Sequence, residues 1–295
     1  MVNIGIVGCG NWSKIIALEI QKNEKFNLTS IVCRNKKNIP KRLKVFSSIK
    51  SMVESNLNDC IYVAALPETN LEVVKMVNNK KIHLILEKPI SNSTIEFKKL
   101  IKIAEKNKLI LYPNLSNYFA DTFSVLRNKI LKNFEEIKEI IIYEGSQGPF
   151  REKIHPIWDW SFHSISLLYL IFSDREFTNI TSKEIKSSKK DGNGLVTKFT
   201  FFIDKKIKVK VVNGNLFKKK IRKIKIIFHN KAYLENDMIL HKMNNKNFNK
   251  SKKIKTPVTN LLEKFENDIA SNEYKRSVKL IKASSKTISF LEKFY

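Results

Sequence analysis

Two hydrophobic periodicities divide the chain. Up to about residue 118, short apolar runs alternate with stretches in which apolar residues recur every three or four positions. The runs predict buried strands, and the stretches between them predict amphipathic helices. Buried strands that alternate with helices indicate a parallel sheet covered by helices on both faces, which is a doubly wound α/β domain. The predicted strands are 4–7, 28–33, 60–66, 82–86 and 109–112, and the predicted helices are 13–22, 71–80 and 94–108.

After residue 119 the dominant period changes to two, as in KIKVKVV, where Ile207, Val209 and Val211 alternate with lysines. This pattern predicts strands with one buried and one solvated face. Turn residues at 204–206 and 213–215 predict hairpins between neighbouring strands. We therefore expect a doubly wound domain at 1–118 and an α+β domain at 119–295 with a largely antiparallel open sheet. The strands predicted in the second domain are 180–188, 195–203, 206–213 and 221–228.

A polar connection at 244–256 precedes a closing helix. Thr256 is the expected N-cap of that helix and Pro257 its first residue, because proline suits the first helical position.

The chain is strongly basic, with 55 Lys and Arg against 28 Asp and Glu and a formal net charge of +27. Such a charge raises the alternative of a nucleic-acid-binding surface. The lysines, however, are spread along nearly the whole chain and occur with abundant Asn and Ile, a combination typical of an AT-rich genome. We therefore expect no nucleic-acid partner, although the charge should steer anionic ligands towards a cleft.

The three cysteines, Cys9, Cys33 and Cys60, form no CxxC pair. Their odd number and spacing indicate neither a disulfide framework nor a zinc site, and favour a reducing, cytoplasmic location. The first residues, MVNIGIVG, are typical of a strand and not of a signal peptide. The longest apolar run, 165–172, is too short to span a bilayer, so no membrane partner is expected.

A glycine-rich stretch, GIVGCGNWSK, lies between the first predicted strand and the first helix. Gly8 would permit a tight turn, Gly10 would let the backbone approach a pyrophosphate, and Ser13 stands where a third glycine or alanine is usual. The following helix would offer its N-terminal N–H groups to the phosphates. A plain βα turn without a ligand is the alternative.

The second strand bears on which dinucleotide would bind. It ends SIVCRNKK, with no acidic residue to bind the ribose 2′-hydroxyl of NAD and with Arg34, Asn35, Lys36 and Lys37 instead. A cationic cluster there favours NADP(H) over NAD(H).

Two further segments carry candidate chemistry. LILEKPIS places Lys88 just past a predicted strand, at the sheet edge where ligands of open α/β sheets bind. IWDWSFHSISLL places Asp159 and His163 four residues apart on one predicted helical face. Taken alone, Lys88 could be a surface lysine, Asp159 a partner of the helix dipole and His163 a core histidine.

Together, GCGNWS, DCIYVAALPETN, EKPIS, WDWSFHSISLL and PVTNLLEKFENDI resemble the glucose–fructose oxidoreductase / inositol 2-dehydrogenase / MocA (Gfo/Idh/MocA) family of NAD(P)-dependent oxidoreductases. The resemblance implies a Rossmann domain followed by a substrate-binding and oligomerisation domain. It implies that Lys88, Asp159 and His163 are catalytic. Ser161 stands where many members have glycine, and Asn70 or Leu71 where a histidine is frequent. The implied cofactor-binding residues are Gly8, Gly10, Asn11, Trp12, Ser13, Arg34, Leu66, Pro67, Glu87 and Lys88.

The expected function is hydride transfer between a nicotinamide cofactor and a secondary alcohol or ketone of a sugar, polyol or nucleotide-sugar. His163 would act as general acid or base, Asp159 would orient it, and Lys88 would donate to the substrate oxygen. Tyr118, Trp158 and Trp160 would either line the substrate pocket or pack in the core. The expected assembly is a homo-oligomer, a dimer or tetramer. The alternative function is a non-catalytic NAD(P)-binding sensor or regulator of the same fold.

Overall fold

The structure is a computed structural model that describes residues 1–33, 42–152, 154–189, 192–237, 242–243, 246–247 and 255–295. The chain folds into two units. The first comprises Met1–Ser116 and Thr256–Ser289, and the second comprises Asn117–Lys255 and Phe290–Tyr295. The division therefore differs from the expected domains 1–118 and 119–295, because most of the two closing helices groups with the N-terminal unit.

The first unit is built on a parallel sheet. Its strands are β1 Val2–Val7, β2 Phe26–Val32, β3 Lys44–Phe46, β4 Cys60–Val63, β5 His83–Leu86 and β6 Leu111–Pro113, and the helices up to residue 116 are α1 Asn11–Gln21, α2 Ile49–Glu54, α3 Pro67–Met76 and α4 Thr94–Lys106. Among the residues described, the strand order is β3-β2-β1-β4-β5-β6. The prediction of a doubly wound Rossmann domain is confirmed, although the short strand β3 and the short helix α2 were not predicted.

The sheet forms the core of this unit. All four residues of β4 are buried, as expected for a central strand covered by helices on both faces. The helices bury one stripe each, such as Phe97, Leu100 and Ala104 of α4. Ser93 caps the start of α4 by accepting a hydrogen bond from the Glu96 N–H, which satisfies one unpaired donor of the first turn.

The closing helices, α7 Pro257–Ser271 and α8 Lys275–Leu291, contribute to the first unit through a buried polar cluster. Arg276 of α8 donates to Asp268 of α7 at 2.5 Å and to the Tyr112 hydroxyl of β6 at 3.0 Å. Tyr112 in turn donates to Asp268. Burial, followed by the hydrogen bond to Asp268, raises the pKa of Tyr112 well above its ordinary value. This cluster is one of the contacts that join 256–289 to the N-terminal unit.

The predicted start of α7 is confirmed. The Thr256 side chain accepts a hydrogen bond from the Thr259 N–H at 3.1 Å, and Pro257 is the first helical residue.

The second unit contains a mostly antiparallel sheet. Its strands are β7 Ile137–Gln147, β8 Phe177–Lys189, β9 Gly192–Ile203, β10 Ile207–Gly214, β11 Leu216–Phe228, β12 Tyr233–Asp237, β13 Lys242–Met243 and β14 Lys246–Asn247, and its helices are α5 Phe123–Lys132 and α6 Phe162–Ile171. In the described part of the chain the strand order is β14-β13-β12-β11-β7-β10-β9-β8. The prediction of a largely antiparallel sheet is confirmed, although β7 and β10 pair in parallel.

One predicted hairpin is confirmed and the other is wrong. The turn at 204–206 joins the antiparallel neighbours β9 and β10. The turn at 213–215 joins β10 to β11, but these strands do not pair, because β7 lies between them and bonds to both. β7, which includes the apolar run 140–142, had not been predicted as a strand. Of the polar connection at 244–256, residues 244–245 and 248–254 lie outside the described residues.

The period-two pattern of β10 gives the expected two faces. Ile207, Val209 and Val211 are buried, whereas Lys208 is exposed. Among the helices that the structure covers, none combines the length and the apolar character that crossing a bilayer requires.

His83 should make the first unit sensitive to acid. Its Nδ1 accepts a hydrogen bond from the Ile110 N–H at 3.0 Å, and burial lowers the pKa of His83 below its ordinary value. A lowered histidine pKa means that the unfolded chain takes up a proton more readily. This contribution to stability is therefore present above the unfolded pKa of about 6.5 and is lost as the pH falls.

We predict that His83→Gln loses less unfolding free energy than the wild type between about pH 7.5 and pH 5. Urea unfolding at several pH values measures the difference. The exposed His229 supplies the matched control, and His229→Gln should follow the wild-type profile. Parallel profiles for His83→Gln and the wild type would contradict the prediction.

Candidate functional site

The candidate residues of the first unit follow strands whose carboxyl ends share one edge of the sheet. Gly8 and Gly10 follow β1, Cys33 follows β2, Leu66 and Pro67 follow β4, and Glu87 and Lys88 follow β5. In open α/β sheets, ligands bind along this edge. The edge is therefore the candidate dinucleotide site of this unit.

The turn after β1 requires glycine at position 8. Gly8 has a φ of +110°, and a Cβ there would lie 2.4 Å from the backbone oxygen of Ala64. Its N–H donates to the Val32 oxygen at 3.1 Å, so the turn is bonded to the end of β2 as well. Only a residue without a side chain fits this position.

The next part of the turn is open. A Cβ on Gly10 would meet no heavy atom of the described residues within 4 Å. Helix α1 begins at the exposed Asn11. Its N-cap is Gly10, which has no side chain that could accept a hydrogen bond from the N–H groups of the first turn. Ser13 is buried, with its Oγ 3.3 Å from the position of a Gly8 Cβ. An open backbone at a helix N-terminus, with a small residue packed behind it, fits the pyrophosphate of a dinucleotide.

The sequence indicated no disulfide framework and did not reveal the single disulfide that the structure contains. Cys9 and Cys33 are disulfide-bonded, with their Cα atoms 5.4 Å apart, and Cys60 is a buried thiol. The cause is the turn at Gly8, which brings Cys9 to the end of β2. Arg34, on which the NADP(H) preference depends, lies with Asn35, Lys36 and Lys37 outside the described residues.

A buried carboxylate connects the ends of several strands. Glu87 Oε1 accepts hydrogen bonds from Trp12 Nε1 at 2.5 Å, from Asn114 Nδ2 at 2.6 Å and from the Tyr62 hydroxyl. Burial, followed by the charge of Glu87, raises the pKa of Tyr62 well above its ordinary value. Glu87 therefore bonds to helix α1, to β4 and to the residue after β6. The sequence marked Glu87 as a cofactor residue but did not reveal these donors.

Asn70 of α3 donates hydrogen bonds to the backbone of the loop that carries Lys88. The buried Asn70 Nδ2 donates to the Ile90 oxygen at 2.9 Å and to the Glu87 oxygen at 3.5 Å. These carbonyls lie on either side of Lys88, which is half-buried and precedes Pro89 through a cis peptide bond. In the sequence, Asn70 stands out only as a departure from the pattern of the resembled family. In the structure, its hydrogen bonds support the Lys88 loop.

Leu66 and Pro67 mark the start of α3 at the same edge. Pro67 is the first residue of the helix, and Leu66 is its exposed N-cap. Trp12 is also partly exposed, although its Nε1 points to Glu87.

In the second unit, Asp159 lies in a π-helical turn and not in the regular α-helix that the sequence predicted. The π turn covers Ile157–Ser161, and α6 begins at Phe162. Asp159 is nearly buried, and its Oδ2 lies 3.8 Å from Nε of Arg151. His163, in the first turn of α6, is half-buried. Short π segments within helices are frequent at functional sites.

Ser161 and Ser164, one on each side of His163, donate hydrogen bonds to two members of a row of paired residues on three neighbouring strands. Asn213 of β10, Glu144 of β7 and Arg222 of β11 are direct register partners. Ser161 donates to Asn213 at 2.7 Å, and Ser164 donates to the fully buried Glu144 at 2.8 Å. Arg222 Nε lies 2.6 Å from the other Glu144 oxygen. In the sequence, only the presence of serines within an otherwise apolar run could have indicated these hydrogen bonds to the sheet.

The candidate substrate residues differ in exposure. Trp158 is only 2% exposed, and its ring meets that of Tyr295 edge to face with the ring centroids 5.9 Å apart. Both observations agree with core packing. Trp160 and Tyr118 are half-buried, and the Tyr118 ring lies 5.0 Å from that of Phe123. Whether Tyr118 and Trp160 contact substrate stays a prediction.

Comparison with known proteins supports the resemblance that the motifs indicated. Residues 2–115 match the Gfo/Idh/MocA family, an oxidoreductase family with an NAD-binding Rossmann fold. Over these residues the chain is similar to that family. The Gfo/Idh/MocA match covers the glycine-rich turn, the Lys88 loop and all six strands of the parallel sheet.

Relatives and solved structures extend the comparison. Over 139 residues the chain is 25% identical to the scyllo-inositol 2-dehydrogenase (NADP(+)) IolU of Bacillus subtilis (strain 168). That alignment covers 45% of this chain and 42% of the relative, less than half of its length.

Two solved dehydrogenases are similar over almost the whole chain. The UDP-N-acetylglucosamine 3-dehydrogenase GnnA from Acidithiobacillus ferrooxidans has a TM-score of 0.78 at 15% identity, covering 98% of this chain and 96% of that one. The scyllo-inositol dehydrogenase from Lactobacillus casei, with bound NAD(H) and scyllo-inositol, has a TM-score of 0.77 at 15% identity, with coverages of 98% and 95%. At these identities the likeness establishes the fold alone.

We predict that Glu87→Ala lowers the unfolding free energy by about 2–3 kcal/mol, because it leaves the Trp12, Tyr62 and Asn114 donors without their acceptor. Glu87→Gln is the matched control. Its carbonyl oxygen can still accept, so it should lose about half as much. Chemical unfolding followed by circular dichroism measures both. Losses below about 0.5 kcal/mol for Glu87→Ala would show that the cluster contributes little.

Proposed function

We propose that this protein is an NAD(P)-dependent oxidoreductase that acts on a secondary alcohol or ketone of a sugar, polyol or nucleotide-linked sugar. The observation that carries the proposal is the turn at Gly8 and Gly10. It combines an obligatory glycine, an open backbone and a helix N-terminus within a unit that matches the family's NAD-binding domain. The names of the relatives, which include an inositol dehydrogenase and a nucleotide-sugar dehydrogenase, supply the substrate class.

The residues of the first unit would bind the cofactor. The N–H groups after Gly10 would bind the pyrophosphate, and Ser13 would keep α1 packed against the turn. A bound nicotinamide would supply the hydride acceptor or donor. Lys88, just past β5 at the carboxyl edge of the sheet, would donate a hydrogen bond to the substrate oxygen where negative charge gathers.

The residues of the second unit would move the proton. Removing hydride from a secondary alcohol leaves positive charge on carbon unless the hydroxyl proton also departs. His163 is the proposed base for oxidation and the proposed acid for reduction, since imidazole titrates nearest to neutral pH. Asp159, held near Arg151 in the π turn, would orient the imidazole.

The coenzyme is proposed to be NADP(H) in preference to NAD(H). The end of β2 carries no acid to bind a ribose 2′-hydroxyl, and Arg34 is the second residue after it. The relatives use both coenzymes, because IolU is named for NADP(+) and the Lactobacillus casei enzyme contains NAD(H). The net charge of +27 further favours an anionic substrate such as a nucleotide-sugar.

A substrate screen tests the proposal. The purified protein is incubated with NAD⁺ or NADP⁺ and with scyllo-inositol, simple sugars or UDP-N-acetylglucosamine, and the absorbance of reduced nicotinamide is followed. Turnover of a member of this class supports the proposal. Tight dinucleotide binding without turnover of any member would favour the non-catalytic sensor instead.

We predict that His163→Ala lowers kcat by about 10²–10⁴ while the dissociation constant for the dinucleotide changes little, because general acid–base catalysis contributes a factor of this size. Steady-state kinetics and a fluorescence titration measure the two quantities. His229→Ala, at an exposed histidine, should leave both unchanged. An unchanged kcat for His163→Ala would remove His163 from the mechanism.

We predict that NADPH binds more tightly than NADH and that Arg34→Ala reduces this preference by about tenfold, the effect of losing one charge-assisted hydrogen bond to the 2′-phosphate. Paired fluorescence titrations measure the ratio of dissociation constants. Arg42→Ala, at an exposed arginine of the same unit, should keep the wild-type ratio. Equal affinities of the wild type for both coenzymes would refute the role given to Arg34.

A further inference from the structure

We propose that Cys9 and Cys33 form a reversible regulatory pair, in which the dithiol form binds the dinucleotide and the disulfide form binds it more weakly. This inference rests on the proposed function, because it concerns access to the same cofactor site.

The pair lies within the candidate site and not at a distance from it. Cys9 stands between Gly8 and Gly10 in the glycine-rich turn, and Cys33 is the first residue after β2. The strands that precede them are neighbours, with Val7 paired to Val32. The disulfide therefore joins the phosphate-binding turn to the end of β2.

That position matters for the adenosine half of a dinucleotide. In this fold, the residue at the end of β2, about 20 residues after the glycine motif, binds the ribose hydroxyls, and the ribose lies against the first turn. Cys33 stands at this point of the chain. The disulfide holds the turn and the strand end together, with the two Cα atoms 5.4 Å apart. Opening the disulfide frees both side chains to move apart and make room for the ribose.

The exposure of the two cysteines suits exchange with an external disulfide. Cys9 is half-buried beside the open, exposed Gly10, whereas Cys33 is only 2% exposed. A helix N-terminus such as that of α1 also favours the thiolate that starts exchange. Cys9 is thus the sulfur that an external reagent reaches first, and Cys33 is the one that completes the reaction.

The third cysteine is excluded from this chemistry. Cys60 is fully buried in β4, and burial raises the pKa of its thiol well above the ordinary value. Buried thiols of this kind are unreactive. The chain therefore carries one reactive pair and an internal control.

The reaction balances with a low-molecular-weight disulfide, RSSR, as oxidant. The Cys9 thiolate attacks RSSR and forms a mixed disulfide, releasing one RS⁻. The Cys33 thiolate then displaces the second RS⁻, which forms the Cys9–Cys33 bond. The two protons of the protein thiols end on the two RSH products, and a small dithiol reverses the sequence.

The test compares two forms of the full-length wild-type protein. One sample is equilibrated with a small dithiol and the other with glutathione disulfide, and both are desalted. Alkylation under denaturing conditions and mass spectrometry should find three labelled cysteines in the first and one in the second. Fluorescence titration with NADPH and NADH should then show about tenfold weaker binding in the oxidised form, restored on reduction.

Two variants sharpen the result. Cys60→Ser should keep the wild-type response to oxidation. The double variant Cys9→Ser/Cys33→Ser, which has neither thiol of the pair, should bind the dinucleotide equally before and after treatment. Circular dichroism checks that each variant is folded, and the wild-type comparison stands without them.

The outcomes separate the two proposals. Tight binding that is equal in the reduced and oxidised wild type would leave the dinucleotide function intact and overturn the regulation. Three labelled cysteines after glutathione disulfide treatment would also overturn it. Failure of both forms to bind either coenzyme would overturn the proposed function, and the regulation with it.

Discussion

The passage of the chain at Gly8 between the ends of β2 and β4 is the constraint on which the candidate site depends. Its N–H is bonded to Val32, and a single added carbon would collide with the Ala64 oxygen. Because contacts on both sides fix the backbone at Gly8, the path of the next few residues is restricted. Helix α1 starts with its N-terminus at the carboxyl edge of the sheet, Cys9 reaches Cys33, and Trp12 reaches Glu87. One backbone position that only glycine can occupy thus sets the phosphate-binding geometry, the disulfide and the carboxylate cluster together.

Hydrophobic periodicity was sufficient to predict the longer strands and helices within residues 1–118, because these elements are regular and locally determined. β3 and α2 escaped prediction because three and six residues are too few to show a period. The second sheet was harder for a different reason. The alternation in β9, β10 and β11 predicted the strands, but not that β7, more than sixty residues earlier in the chain, lies between β10 and β11. Strand order depends on contacts distant in sequence, and a turn-like NGN does not reveal whether the strands around it pair.

The candidate site divides in the same way. Gly8, Gly10, Lys88, Asp159 and His163 could be proposed from the sequence because each belongs to a short motif. The contacts that support them could not, since Trp12 and Glu87 are 75 residues apart and Ser164 and Glu144 are 20 apart. The cysteines show the limit of counting. An odd number without CxxC spacing argues against a framework of disulfides, but it does not exclude one pair brought together by a tight turn. The π turn at Asp159 was equally hidden, because the same residues satisfy an α-helical pattern.

In each unit a buried carboxylate supports the segment that carries a candidate catalytic residue. Glu87 directly precedes Lys88 and is held by three donors, and Glu144 binds Ser164, which directly follows His163. A carboxylate out of water is stable only when donors surround it, so each cluster tolerates little movement of the chain. The lysine and the histidine themselves are half-buried. Catalysis by orientation requires that a reacting side chain be held in a fixed position by rigid surrounding residues. The two carboxylate clusters would hold the backbone beside Lys88 and His163 in this way.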